Sequence, residues 1–296
     1  MPNSEPDLFR FSFHAMGSPC SIHLYDADPQ RAQQKFRSIQ QLIEGLEARY
    51  SRYRTGNLMS AINAVAARGD SMTVDDEVLA LLRYANTCYE QSDGLFDITS
   101  GVLREAWDFS RPDAVVLPAE EQLKSLLQRV GWRHVIVEGH ELRFTRPGMA
   151  LDFGGIVKEY AADLAASQLQ AMGAESAVVE LGGDIRAVGP RISGAPWNIK
   201  IRDPRHAGEH IAEIALYQEG IATSGDYERF VMIGGKRYAH ILSPVTGWPV
   251  QGLASVTVVA PQTVVAGSAA TIAMLKGTEG RDWLQTLGLE FYAIDG

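Results

Sequence analysis

The chain has 296 residues, of which 46% are hydrophobic and 21% charged, and this balance is typical of a folded globular protein rather than a disordered or collagen-like one. Its formal net charge is −9 at pH 7, so we expect neither nucleic-acid binding nor attachment to an anionic membrane. Cys20 and Cys88 are far apart and match no metal-binding spacing, and are expected to be reduced thiols.

The amino-terminal segment has no basic start followed by an apolar core, so no secretory signal is predicted. No hydrophobic stretch precedes Cys20, which excludes a lipid-anchor motif there. No window of the chain is apolar enough to span a bilayer. We therefore expect a cytoplasmic protein without membrane insertion.

The first part of the chain is predicted to be rich in helices. Asp28 followed by Pro29 is typical of a helix start, and apolar residues then recur at steps of three and four, as on a buried helical face. Predicted elements in this part are strands over 9–13 and 21–25, and helices over 29–50, 75–91 and 118–130.

From residue 135 the pattern is richer in strands. Gly234-Gly235 is predicted to form a two-residue hairpin turn after a strand over 230–233, and residues 223–226 to form a turn before that strand. Further strands are predicted over 135–137, 142–144, 177–181, 197–201, 211–216, 253–259 and 291–294, with long helices between Gly155 and Gly173 and over 263–275.

Strand clusters interrupted by long helices, without regular alternation, predict an α+β fold with mixed, mostly antiparallel sheets. We expect one unit over residues 1–296, and a helix-rich lobe inserted over about 29–132 stays open as an alternative.

Three glycine-bearing junctions are candidate binding elements. Residues 152–158 read as a strand feeding a helix, where Lys158 either neutralises a phosphate or is simply solvated. Residues 180–184 form either a β-bulge or a wall against a flat ligand. In residues 92–97, Gly94 is predicted to cap the end of the second helix. Phe96 and Asp97 either stack on and hydrogen-bond a planar ring, or belong to core packing beside that cap.

Several familiar motifs are absent from the sequence. It contains no GxGxxG after a strand, no P-loop, no HExxH, no paired CxxC and no GxSxG. A Rossmann dinucleotide site is therefore not supported, and a nucleotide would have to be bound by other means.

Taken together, motifs in one order over nearly the whole chain resemble the FAD:protein FMN transferase family, also called ApbE-like. The resemblance implies an ApbE/T-fold-like architecture. The matching segments are HAMGSPCSI, EARYSRYRTGNLMSAIN, SDGLFDIT, REAWDF, LDFGGIVKEYAAD, VVELGGDIRAVG, IATSGDYERF, YAHILSPVTGWPV and SVTVVAP.

The resemblance implies that FAD and Mg²⁺ are bound and that FMN is transferred to a Thr or Ser hydroxyl of a target flavoprotein, with release of AMP. It implies His240 as the general base, and Mg²⁺ binding by the Gly155 carbonyl and the Thr271 hydroxyl. The residues implied to contact FAD are Met16, Tyr53, Leu95, Phe96, Asp97, Asp152, Lys158 and His240.

Two positions depart from the family pattern. Gly267 stands where the family has a metal-binding Asp, one helical turn before Thr271, and Ser268 faces about 100° away from that position. Glu159 stands where the family has Gly. Its carboxylate either repels substrate, points to solvent or supplies the missing charge, and Gly267→Asp is expected to restore a ligand. The sequence thus favours an FMN transferase, with a catalytically impaired flavin-binding protein or an FAD pyrophosphatase as alternatives.

Overall fold

The polypeptide begins with two long strands and then alternates between helices and short strands in a computed structural model that describes residues 5–107, 109, 116–206 and 208–296. Asp108 of the REAWDF motif and the first four residues lie outside this description. The helices are α1 Pro29–Tyr50, α2 Leu58–Arg68, α3 Asp76–Gln91, α4 Glu120–Leu127, α5 Val157–Ala171, α6 Thr263–Lys276 and α7 Gly280–Leu287, with 3₁₀ turns at Ile98–Glu105, Trp132–His134 and Gly277–Glu279.

Half of the fourteen described strands belong to one antiparallel sheet of seven strands, ordered β1-β2-β6-β7-β10-β13-β14. Three small sheets, β11-β12, β3-β5-β4 and β8-β9, complete the fold. The strands are β1 Asp7–Ala15, β2 Ser18–Asp26, β3 Ser71–Thr73, β4 Val135–Glu138, β5 Glu141–Phe144, β6 Ala177–Leu181, β7 Asp184–Val188, β8 Trp197–Arg202, β9 His210–Leu216, β10 Gly220–Gly225, β11 Phe230–Ile233, β12 Lys236–Ala239, β13 Leu253–Ala260 and β14 Glu290–Asp295.

The large sheet is covered on both faces, as alternation along β6 shows. Val179 and Leu181 pack into the main core with α1 and α5, whereas Val178 packs on the other face against the β8–β9 hairpin. Side chains of a strand alternate between faces, so both faces of β6 must be apolar, and they are. Helices packed on a mostly antiparallel sheet confirm the predicted α+β class.

Predicted helix starts are confirmed where a side chain can cap the first turn. Asp28 accepts a hydrogen bond from the Gln30 amide at 2.8 Å, with Pro29 as the first helical residue. Asp75 accepts one from the Val78 amide at 3.0 Å at the start of α3. These caps occupy amides that have no partner within the helix.

The predicted glycine hairpin is also confirmed. Gly234 and Gly235 have φ of 58° and 78° and join β11 to β12. Gly182 and Gly183, with φ of 59° and 92°, form the same kind of turn between β6 and β7. The alternative of a β-bulge at residues 180–184 is therefore wrong, because Leu181 pairs directly with Asp184 across a two-residue turn.

Two local predictions are wrong. The start of residues 152–158 does not form a strand, because the adjoining Leu151 is hydrogen-bonded through its amide and carbonyl to the Asn63 side chain rather than to a neighbouring strand. Thr223–Gly225 is not a turn but the end of β10, which pairs with β13 as far as Gly225 opposite Ser255. The Thr223 hydroxyl also meets the Thr257 hydroxyl across this ladder at 2.8 Å.

None of the helices that the structure describes combines the length and the apolar character needed to cross a bilayer.

Gly189, which follows β7, lies in close contact with the loop that precedes β6. It has φ of 63°, and a Cβ atom there would overlap the carbonyl oxygen of Glu175. Gly194 has φ of 79° but no described atom within 4 Å of its Cβ position, so it is a matched control. We expect Gly189→Ala to lower the free energy of unfolding by at least about 2 kcal/mol more than Gly194→Ala.

The measurement is urea denaturation of both variants beside the unmodified protein. Equal losses of unfolding free energy in the two variants would show that positive φ alone determines the cost at both glycines. They would also show that the Glu175 carbonyl can move aside.

Candidate functional site

A cavity of about 510 Å³ lies where the β1–β2 turn, the start of α5 and the middle of α6 converge. All of the sequence-predicted site positions line this one cavity, although they are scattered from the first strand pair to the late helix. They are Met16, Tyr53, Leu95, Phe96, Asp97, Asp152, Gly155, Lys158, His240 and Thr271.

Met16 is held in an unusual backbone conformation at the cavity wall. Its φ is 52°, in the left-handed region that non-glycine residues rarely occupy, and Gly17 follows with φ of 69°. The pair closes the β1–β2 hairpin between Ala15 and Ser18. Two consecutive positive φ values suit the twist of a tight hairpin, and the turn presents Met16 to the cavity.

Phe96 lies directly against the backbone of Gly155. A Cβ atom on Gly155 would be 3.3 Å from Phe96 Cζ, so glycine lets the ring approach the start of α5 closely. The Phe96 side chain is buried, and its ring forms part of the cavity wall. A planar group entering the cavity would therefore meet an aromatic surface at this point.

The Asp97 carboxylate caps the 3₁₀ turn Ile98–Glu105 and is fully hydrogen-bonded. It accepts hydrogen bonds from the Thr99 amide at 2.8 Å, the Thr99 hydroxyl at 2.6 Å and the Trp132 amide at 3.0 Å. Burial raises the pKa of Asp97, and these hydrogen bonds oppose the rise. Both Asp97 carboxylate oxygens are therefore engaged within the polypeptide, although Asp97 also lines the cavity.

Asp152 is clamped between two arginines. Its Oδ2 lies 2.7 Å from Arg52 Nη1 and 3.2 Å from Arg104 Nε, and its Oδ1 accepts the Gly154 amide at 2.9 Å. Burial opposes ionisation, but Arg104 and Arg52 hold the pKa of Asp152 below its usual range. Arg52 also lies over the ring of Tyr53, 5.1 Å from its centroid, and Tyr53 is 67% exposed at the cavity mouth.

Three charged groups meet at the start of α5. Lys158 Nζ lies 2.5 Å from Asp184 Oδ2, and Asp184 Oδ1 accepts the Thr223 amide at 3.3 Å. Glu159 is buried beside this pair. Burial and the neighbouring Asp184 carboxylate raise the pKa of Glu159, while Lys158 lowers it. The cluster holds two carboxylates and one lysine in a space largely withdrawn from water.

Gly267 on α6 faces the Glu159 side chain. A Cβ atom built on Gly267 would lie 2.6 Å from Glu159 Cγ and 3.0 Å from its Cδ and Oε1. Thr271, one turn further along α6, shares a 2.7 Å hydrogen bond with the Ser224 hydroxyl. Ser268 instead contacts the Tyr84 hydroxyl at 3.0 Å, consistent with its predicted orientation away from this face.

His240 is held as a neutral imidazole. Its Nδ1 lies 3.2 Å from the Arg229 carbonyl oxygen, which can only accept a hydrogen bond, so Nδ1 carries the proton and Nε2 is left as the basic nitrogen. Burial, together with the positive charges of Arg104 and Arg229, lowers the pKa of His240 to about 4. The imidazole can therefore accept a proton at neutral pH.

Four arginines of the site were not predicted from sequence. They are Arg52, Arg54, Arg104 and Arg229, and all line the cavity. Arg52 lies within the RYSRYRTG segment and Arg104 opens the REAW segment, so both lie inside matched motifs. The sequence feature that could have indicated them is a basic residue inside a matched motif. Only the fold shows that Arg52 and Arg104 both contact Asp152.

The cavity combines an aromatic wall, buried ion pairs, arginines and a neutral imidazole. These features are typical of an enzyme that binds an anionic substrate and moves a proton. The ApbE family profile matches residues 16–293. The chain belongs to the ApbE family.

Individual relatives agree with this assignment. The chain is 33% identical over 246 residues to the FAD:protein FMN transferase of Vibrio cholerae, covering 81% of this chain and 73% of that protein. It is 28% identical to the Escherichia coli protein of the same name, covering 94% and 82%.

Solved structures confirm the fold class. The Thermotoga maritima ApbE protein superposes with a TM-score of 0.88 at 29% identity, covering 98% of this chain and 94% of that one. Pseudomonas stutzeri flavinyl transferase ApbE in its apo form gives a TM-score of 0.88 at 27% identity, covering 100% and 96%.

The state of His240 can be measured directly. We expect its imidazole in the FAD-free protein to titrate near pH 4, neutral above that pH and protonated below it, because burial and two arginines disfavour the cation. The measurement is NMR titration of the ring protons, with the His240→Gln spectrum identifying the signal. A midpoint at the ordinary value of 6.5 would contradict the described environment.

Proposed function

We propose that this protein transfers FMN from FAD to a Thr or Ser hydroxyl of a target flavoprotein and releases AMP, with Mg²⁺ bound at the site. Relatives named FAD:protein FMN transferase support the reaction class. The observation that carries the proposal for this chain is that every position implied to bind FAD or metal lines one cavity.

The cavity suits an anionic substrate with planar rings. Its volume, about 510 Å³, lies within the usual range of ligand pockets, about 300–1,000 Å³. Phe96 offers a ring surface, and Lys158 and Arg229 bring positive charge to the cavity. Tyr53, exposed at the mouth, can cover a part of FAD that extends beyond the enclosed volume.

The oxygen atoms at the start of α5 and on α6 fit a Mg²⁺ ion. Within the described residues, no hydrogen-bond donor reaches the Gly155 carbonyl, because the hydrogen bonding of α5 begins with Tyr160 donating to Ile156. The Thr271 hydroxyl also lines the cavity. Mg²⁺ takes oxygen ligands and usually combines one or two carboxylates with substrate phosphates and water, so these two neutral oxygen donors would supply only part of its coordination. When bound, the ion would neutralise charge on the pyrophosphate.

His240 would accept the proton of the acceptor hydroxyl through Nε2. The hydroxyl oxygen then forms a bond to the phosphorus of the FMN half, and the bond from that phosphorus to the bridging oxygen breaks. AMP leaves with that oxygen and its electron pair, and FMN is joined to the acceptor as a phosphodiester. Lys158 and the arginines hold the phosphates in place while charge shifts to the leaving group.

A catalytically impaired flavin-binding protein is the second candidate, and the absence of a carboxylate at Gly267 is the observation that favours it. An FAD pyrophosphatase is the third. Incubation of the protein with FAD and Mg²⁺ separates them. A transferase releases AMP in proportion to flavinylated acceptor, a pyrophosphatase releases AMP without acceptor, and an impaired protein releases none.

We expect the purified protein to bind FAD saturably at micromolar protein concentration, because the cavity combines an aromatic wall with cationic groups. Quenching or polarisation of FAD fluorescence measures the binding. Riboflavin, which lacks phosphates, is the control and should bind more weakly. Absence of saturation with FAD would contradict the proposed use of the cavity.

We expect His240→Ala to abolish FMN transfer while leaving the FAD dissociation constant within about tenfold, or ~1.4 kcal/mol, because a general base acts mainly in the transition state. Covalently bound FMN on an acceptor flavoprotein is read as in-gel fluorescence. The acceptor with its target Thr changed to Ala is the negative control. Full transfer by His240→Ala would assign the histidine a structural role.

A further inference from the structure

We propose that Glu159 is the carboxylate ligand of the site's divalent cation, and that Gly267 is the space on α6 that admits its side chain. The inference rests on the proposed function, since it names the anionic ligand of that same site. Here the carboxylate would reach the ion from α5 instead of α6.

The first support is an unpartnered buried carboxylate oxygen. Glu159 is only 8% exposed and its side chain borders the cavity. Among the described residues, no hydrogen-bond partner reaches Glu159 Oε2. A buried carboxylate oxygen without a partner is costly, so its position at the wall of the proposed FAD cavity points to a ligand that the polypeptide does not supply.

The second support is the charge balance of the cluster. Lys158 forms an ion pair with Asp184 Oδ2 at 2.5 Å, and Asp184 Oδ1 accepts the Thr223 amide, although Oδ2 has no hydrogen-bond partner among the described residues. The charge of Lys158 is thus already matched by Asp184. Ionised Glu159 therefore leaves one buried negative charge in excess. A divalent cation next to Glu159 would compensate that charge and the negative phosphates of FAD.

The third support is where the Glu159 side chain lies. Its Cγ, Cδ and Oε1 all lie within 3.0 Å of the Cβ position at Gly267, so the carboxyl group rests on the backbone of α6. Thr271 lies one helical turn beyond Gly267 on the same face. Gly155, whose carbonyl oxygen has no hydrogen-bond partner among the described residues, precedes Glu159 by four residues. Gly155, Glu159 and Thr271 all line the cavity, and the proposal places their oxygen atoms around one ion.

This packing changes the expectation for Gly267→Asp. A side chain at 267 would collide with Glu159, and its carboxylate would lie against a second one. We expect that single substitution to lower the melting temperature without tightening metal binding. The exchange Glu159→Ala/Gly267→Asp removes the collision and moves the carboxylate from α5 to α6.

The test measures metal binding rather than turnover. Every variant is made in a His240→Ala background, so that FAD is not consumed. Mn²⁺ is titrated into FAD-saturated protein at pH 8 and followed by electron paramagnetic resonance. FAD binding is measured first for each variant, because its loss would indicate failure of the proposed function rather than of this inference.

We expect Glu159→Gln, which keeps the shape of the side chain, to weaken Mn²⁺ binding at least about tenfold, ~1.4 kcal/mol. Glu44→Gln removes the same charge from the exposed face of α1 and should leave Mn²⁺ binding unchanged. Glu159→Ala should weaken binding likewise, and Glu159→Ala/Gly267→Asp should regain most of the lost affinity.

Unchanged Mn²⁺ affinity in Glu159→Gln, with FAD bound, would overturn the inference. So would a Gly267→Asp variant that binds Mn²⁺ about tenfold more tightly than the parent, because Glu159 would then leave the site open. If the folded Glu159→Ala/Gly267→Asp variant binds Mn²⁺ no more tightly than Glu159→Ala, positions 159 and 267 do not contribute to the same ion.

Discussion

The contact between the Glu159 side chain and the bare backbone of Gly267 determines how the site is built. It places a buried carboxyl group between α5 and α6, next to the Lys158–Asp184 ion pair. A residue with a side chain at 267 would separate the two helices or expel the glutamate. Because each helix packs on the central sheet, such a shift would also displace the cavity wall formed by Gly155 and Phe96.

Much of the fold could be predicted from sequence because local signals were strong. The cap at Asp28, the apolar period of α1 and the Gly234-Gly235 turn depend on neighbouring residues only, and all three are confirmed. The positions of the site followed from ordered motifs, and the structure brings them to one cavity. Their roles stay predictions until binding and transfer are measured.

The features that were missed depend on contacts distant in sequence. The start of residues 152–158 was predicted to be a strand, but it has no neighbouring strand, and the Asn63 side chain takes the backbone hydrogen bonds of the preceding Leu151. Ser224 looked like a turn residue, yet pairing with β13 extends the strand through it. The position of the Glu159 carboxylate could not be predicted from sequence. Both its solvent exposure and its contact with Gly267 depend on how α5 and α6 pack.

In the proposed metal site, the glutamate on α5 takes the place of a carboxylate on α6 as the metal ligand. The most direct measurement is anomalous diffraction from crystals of the His240→Ala protein grown with FAD and Mn²⁺. We expect a manganese peak within coordination distance of a Glu159 carboxylate oxygen, the Gly155 carbonyl and the Thr271 hydroxyl. A manganese ion bound at the same phosphates with Glu159 turned away, or held by Asp184 instead, would contradict it.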